Sequence, residues 1–320
     1  HWLLRSGHRD LAFATMAKLG VSADRLDWIR ARASLIEKWP VPAPPRPPAR
    51  SAGRSRQLVI SGMHRSGTSL VASTFRAAGL EIGWDLMGPA PGNWRGHFED
   101  SDFYDLHEAM LAAAGVTSLA ADDAFTAPAG GDFAARAREL IAARSGFELW
   151  GWKDPRASLL LPFWRSLVPG LRCVLCVRDP VEVAGSLARR NRMSPRKAAF
   201  LWLHYLTENL QGIGDARCAI VFYGDLLQNP AAQVQRLLDF SGVNTEGALQ
   251  EGIAVVDPGL RRQRGDGAAT AVAAPLALCR SIYAHLRALL ADDDTPPGSA
   301  VDEAIRAGRA ALELLVPSPE

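Results

Sequence analysis

The chain has 320 residues, 48% of them apolar and 22% charged, with a net charge of +2. This is enough for one sizeable α/β domain with additions, and the composition is ordinary for a globular protein. A balance so close to neutral predicts no nucleic-acid or membrane surface, so any positive field must be local, and no apolar run is long enough to span a bilayer.

The N-terminal residues carry no leader pattern. The chain opens at His1, which leaves it readable as a piece of a longer polypeptide. Four cysteines make no disulfide framework at this length. Cys173 and Cys176 form a C-x-x-C, but they lie in the strand-like run "LRCVLCV". Residues three apart on a strand point to opposite faces, so the pair reads as structural. That usage fits a reducing, cytoplasmic compartment.

In chain order, residues 1–39 come first, with Leu11, Met16, Leu19, Leu26, Ile29 and Leu35 at loosely helical spacing. Residues 40–57, "PVPAPPRPPARSAGRSRQ", read as a linker: the prolines favour extended geometry and the Ser, Gly and Arg residues favour solvation. Then strands and helices alternate. "QLVISG" is a strand and 67–79 a helix. Phe103, Leu106, Met110 and Leu111 predict a helix from about Asp100. "ELWGWK" (148–153) is a strand, followed by a helix over 156–167. "LRCVLCVR" (171–178) is a strand, followed by a helix over 180–190. Ser194-Pro195 opens a helix to about Leu210, "CAIVFYG" is a strand, and Pro230 begins a helix ending near Phe240. This alternation predicts an α/β fold, a doubly wound parallel sheet covered on both faces. Ligands then bind beyond the C-terminal ends of the strands. The α/β domain is expected over 58–265. A helical C-terminal extension follows over 266–320, with helices near 272–290 and 301–315.

The loop "SGMHRSGTS" after the first strand presents N–H groups and a helix N-terminus to an anion. Gly62 and Gly67 have the spacing of a P-loop, and Ser69 stands where its Ser or Thr belongs. Thr68 replaces the lysine, and the loop's cation is Arg65. ATP- and GTP-using enzymes need that lysine and a held Mg²⁺. A ligand requiring less charge neutralisation, and no metal, suits this loop better. Two later junctions share one design. "GWKDPR" and "CVRDPVE" each end a strand in a cation, Lys153 or Arg178. Each continues with an Asp as N-cap (Asp154, Asp179) and a Pro at the first helical position. Glu182 stands where it would close a capping box. Caps do not explain a cation before each of them, whereas strand ends facing a ligand crevice do.

These motifs, in this order and separation, resemble the sulfotransferases that use 3′-phosphoadenosine 5′-phosphosulfate (PAPS). The resemblance covers about residues 58–265. It implies that Arg65, Ser66, Gly67, Thr68 and Ser69 bind the 5′-phosphosulfate, and that Arg178 and Ser186, eight residues on, hold the 3′-phosphate. "VFYGDLLQNP…LLDFSGV" resembles a later family segment, with Gly224 where an acidic residue is usual. The implied reaction is sulfuryl transfer from PAPS to a hydroxyl or amine on a glycan or other small metabolite. Arg65 and the loop N–H groups would stabilise charge on the leaving phosphate, and Lys153 stands at the same sheet edge.

Transfer needs a base. "GHFED" offers Glu99 and His97. Bacterial relatives with a similar G-x-F-E segment favour Glu99, which a helix dipole would hold ionised. An imidazole is better matched near pH 7. His107 belongs on a packed or exposed helix face. Trp84, Trp94, Trp150 and Trp152 read either as acceptor-stacking or as core residues. Arg261 and Arg262 read either as phosphate contacts or as an exposed basic turn. Two rival readings are a divergent P-loop kinase-like enzyme using MgATP, and a non-catalytic nucleotide-binding or interaction module of a longer protein.

Overall fold

The computed structural model describes residues 55–88, 96–119, 132–257, 259, 273–291 and 297–315. The expected helical segment 1–39, most of the linker, Trp94, Arg261 and Arg262 lie outside them. The described residues divide into two compact units. The segment Trp84–His97, of which 84–88 and 96–97 are described, falls in one, and everything else described falls in the other.

The larger unit is built on four parallel strands: β1 (Arg56–Ser61), β2 (Leu149–Lys153), β3 (Arg172–Val177) and β4 (Cys218–Phe222). Their order is β2-β1-β3-β4. Val59 pairs with Trp152, Ile60 with both Lys153 and Val174, and Val177 with Phe222. Leu58, Val59, Ile60 and Ser61 are all fully buried. Consecutive strand residues face opposite sides, so both faces of the sheet are covered.

On one side, α1 (Thr68–Ala77) packs on β1 and β2, and α8 (Pro230–Ser241) packs on β4, with α9 (Ala248–Ala254) against both helices. A second group holds α4 (Ala157–Leu167) on β1 and α6 (Pro195–Ile213) on β3. α5 (Pro180–Asn191), α10 (Ala274–Ala291) and α11 (Pro297–Leu315) pack against α6. α2 (Ser101–Ala113) lies against α3 (Asp132–Ala143). α7 (Tyr223–Gln228) follows β4 directly.

The alternation and the doubly wound sheet are as expected. The differences are local. β4 ends at Phe222, and Tyr223 starts α7 instead of prolonging the strand. The last helix begins at Pro297, not 301. α3 and α9 have no counterpart in the expected elements. Cys173 and Cys176 are buried in β3, their thiols pushed up to about 12 by burial. The sheet edges are not bare. Gly151 N–H donates to the Glu81 carbonyl at 2.8 Å beside β2. On the outer side of β4, the Arg236 guanidinium donates to the Ile220 carbonyl at 2.7 Å.

Candidate active site

The strand order reverses around β1, and its neighbours β2 and β3 end beside it. The C-terminal ends of all three therefore open onto one crevice, the usual ligand position in such sheets. β1 continues into the 62–67 loop, β2 ends at Lys153, and β3 leads to Arg178.

The loop turns sharply. Gly62 has φ 132° and Gly67 φ 95°. A Cβ at Gly62 would run into the Cys176 carbonyl, and one at Gly67 into the Tyr223 ring. Both positions therefore require glycine for space as well as for conformation. Gly62 N–H donates to Ser158 Oγ at 2.9 Å, which also receives Asn209 Nδ2 at 2.7 Å. Arg65 takes φ 73°, a left-handed conformation disfavoured for a side chain with a Cβ. Its carbonyl accepts from Arg178 Nη1 at 3.3 Å, which helps to hold that turn.

The side chains converge. Arg65 Nε donates to Ser186 Oγ at 2.8 Å. Burial lowers the Arg65 pKa to about 10, helped by the charges of Arg190 and Arg178. Arg178 lies 4.2 Å from the centre of the Tyr223 ring and donates to Glu182 at 2.8 Å. Glu182, which the sequence placed at a capping-box position, pairs with Arg178. Asp179 caps α5, accepting from the N–H groups of Val181 and Glu182. Ser66 in the loop and Thr68 at the start of α1 are both buried.

At the end of β2, Lys153 Nζ donates to Glu99 Oε1 at 2.6 Å and to Ser69 Oγ at 3.3 Å. Glu99 does not behave as a dipole-held carboxylate. Asp100 takes the N-cap of α2, accepting from Asp102 N–H at 3.1 Å. Glu99 is instead buried, and burial raises its pKa, with Lys153 opposing. His97 belongs to the other unit, where its N–H donates to the Met87 carbonyl at 3.0 Å.

Behind Lys153 lies a network that sequence reasoning missed. Asp154 Oδ2 meets His107 Nδ1 at 2.9 Å, and Trp164 Nε1 donates to His107 Nε2 at 2.8 Å. Because the indole can only donate, Nε2 accepts and the proton sits on Nδ1. Asp154 Oδ1 takes both the N–H and the guanidinium of Arg156, at 2.8 and 2.9 Å. Glu108 pairs with the other side of that guanidinium. Burial would raise the Asp154 pKa, but Arg156 and the His107 bond override it and hold the carboxyl well below the usual range. Asp154 is thus a hub, with Arg156 and not Asp154 at the formal N-cap of α4. His107 is fully packed. Trp150 and Trp152 are fully buried and pack with Phe103, Trp152 stacking on it at 4.8 Å. They are core and unavailable to an acceptor.

A family model described as "Sulfotransferase family" matches residues 57–247, more than half of the chain. The chain belongs to the sulfotransferase family. No curated protein sequence matches it significantly. Similar solved structures include the sulfotransferase domain from the curacin biosynthetic pathway, at 14% identity and TM-score 0.44, covering 73% of this chain and 99% of that one. Another is the sulfotransferase domain of the Synechococcus PCC 7002 olefin synthase, at 16% identity and TM-score 0.40, covering 86% and 98%. A third is retinol dehydratase in complex with retinol and PAP, at 16% identity and TM-score 0.31, covering 64% and 65%. The family's general reaction is transfer of a sulfuryl group to a small-molecule acceptor. Among this sulfotransferase's described residues, no helix is long and apolar enough to cross a membrane.

Proposed function

We propose that this sulfotransferase takes its sulfuryl group from PAPS and transfers it to a hydroxyl or amine of a glycan or other small metabolite. The observation that carries the reading is the Lys153 contact to Ser69. In a P-loop that uses ATP, the hydroxyl at this position faces Mg²⁺. Here it faces an ammonium from the end of β2, while Arg65 stands in the loop that lacks the usual lysine.

The donor set fits PAPS. Arg65, Ser66, Gly67, Thr68 and Ser69 would hold the 5′-phosphosulfate, and Arg178 with Ser186 the 3′-phosphate, since guanidinium groups bind such oxygens bidentately. When bound, PAPS supplies the transferable sulfuryl group. Arg65 and Lys153 place positive charge where the leaving phosphate gains negative charge. Glu99, its pKa raised by burial, takes the acceptor's proton, with His97 as the alternative base. Lys153 links the base to the loop, so both are positioned by one side chain.

A melting experiment with nucleotides tests the reading. 3′-Phosphoadenosine 5′-phosphate should raise Tm without added metal, because a ligand of the native state stabilises it. MgATP should do much less. Equal or larger stabilisation by MgATP would replace the PAPS reading with a kinase-like one. Mass spectrometry of products from PAPS and a panel of glycans, phenols and lipids then identifies the acceptor.

A further inference from the structure

The site as described so far is short of positive charge. Of the three cations assigned to the donor, Lys153 pairs with Glu99 and Arg178 with Glu182. Carboxylates thereby offset two of these three charges. A phosphomonoester alone carries about −1.5 to −2, and a phosphosulfate adds two more anionic groups. A further cation beside the loop would favour such a ligand.

Helix α5 supplies one. Ser186, which holds Arg65 Nε at 2.8 Å, lies on this helix, and Arg190 is four residues further along it. Side chains at i and i+4 share a helix face, so Arg190 lies one turn beyond Ser186 on the face that meets the loop. The helix dipole favours a cation in this last turn, but it does not select the face. The loop independently reports the neighbour. After burial itself, Arg190 is the charge that most disfavours the protonated Arg65 guanidinium, and it also acts on His64.

We infer that Arg190 is a further donor-binding residue, closing on a phosphate of PAPS beside Ser186 and offsetting the charge that Arg65, Lys153 and Arg178 leave unbalanced. This rests on the PAPS reading. Arg190 is exposed, so its truncation should leave the fold intact, which a melting curve checks.

The test is titration of 3′-phosphoadenosine 5′-phosphate into wild type, Arg190→Ala, Arg190→Lys and Arg138→Ala at two salt concentrations. Arg138, on α3, is an exposed arginine that serves as the charge control. Arg190→Ala should weaken binding about tenfold, as for loss of one charged hydrogen-bond partner, and flatten the salt dependence. Arg190→Lys should fall between, and Arg138→Ala should match wild type. Wild-type affinity in Arg190→Ala overturns the inference while leaving the PAPS reading standing. So does a variant that binds the nucleotide normally but has a raised KM for acidic acceptors, since that would place Arg190 at the acceptor. Wild type failing to bind the nucleotide at all overturns the PAPS reading and the inference with it.

Discussion

At Glu99 burial and an ammonium pull in opposite directions, and burial prevails. A carboxyl with a raised pKa stays protonated to a higher pH than usual and, once ionised, is a stronger base. The turnover of wild type should therefore rise with pH through a midpoint above the ordinary glutamate value of about 4.3. Glu99→Gln should lose that limb and lower kcat by roughly 10²–10⁴, with nucleotide affinity nearly unchanged. A near-normal Glu99→Gln beside an inactive His97→Ala would move the role to His97. Arg65 and Arg178 permit a second comparison. Arg178→Ala should weaken PAPS more than adenosine 5′-phosphosulfate, which lacks the 3′-phosphate, by roughly 1.5–3 kcal/mol. Arg65→Ala should weaken both and lower turnover. Equal losses for both nucleotides in Arg178→Ala would refute its assignment to the 3′-phosphate. These residues were legible because each sits in a local motif. Their partnerships were not. Lys153 and Ser69 are 84 positions apart, and Arg65 and Ser186 are 121 apart. Only the folded sheet decides that Ser186 meets Arg65.

At the scale of elements, the strand-to-helix junctions were readable, because Pro, Asp and Gly act through their own backbone. What lay behind them was not. Asp154 looks like a cap in sequence, yet its carboxylate gathers His107 from α2 and Arg156 from its own turn. Asp154→Asn should cost about 3–5 kcal/mol at pH 7, the usual result of removing one partner from a buried charge pair. Because the folded pKa is lowered, this stability is fully present above the unfolded carboxylate value of about 3.9 and lost as pH falls through the folded value. The gap between wild type and variant, measured by denaturant melts, should therefore narrow only in strong acid. A gap that closed between pH 7 and 5 would show that another group is responsible. α3 escaped notice for a different reason. "DFAARARELIAA" buries only Ala137 and Leu140, so its apolar stripe is faint. α7 was hidden because the apolar run of β4 continues into Tyr223, which packs on Gly67 and Arg178 instead of extending the ladder.

At the scale of the whole molecule, alternation announced a parallel sheet, but the order β2-β1-β3-β4 depends on pairings that no local pattern encodes. The near-neutral net charge likewise hid a local concentration of arginines around the loop. The Arg236 guanidinium on the Ile220 carbonyl bears on how the protein behaves when crowded. An open strand edge is a template on which another chain can add. Here an arginine from α8 occupies an acceptor on that edge, and its bulk and charge stand where an incoming strand would lie. Arg236→Ala should leave the stability of a dilute sample almost unchanged, yet raise light scattering at high concentration or during refolding. Scattering equal to wild type would show that the helices beside β4 protect the edge without it. Higher scattering would show that an arginine far from the chemistry guards this edge of the sheet against a further strand.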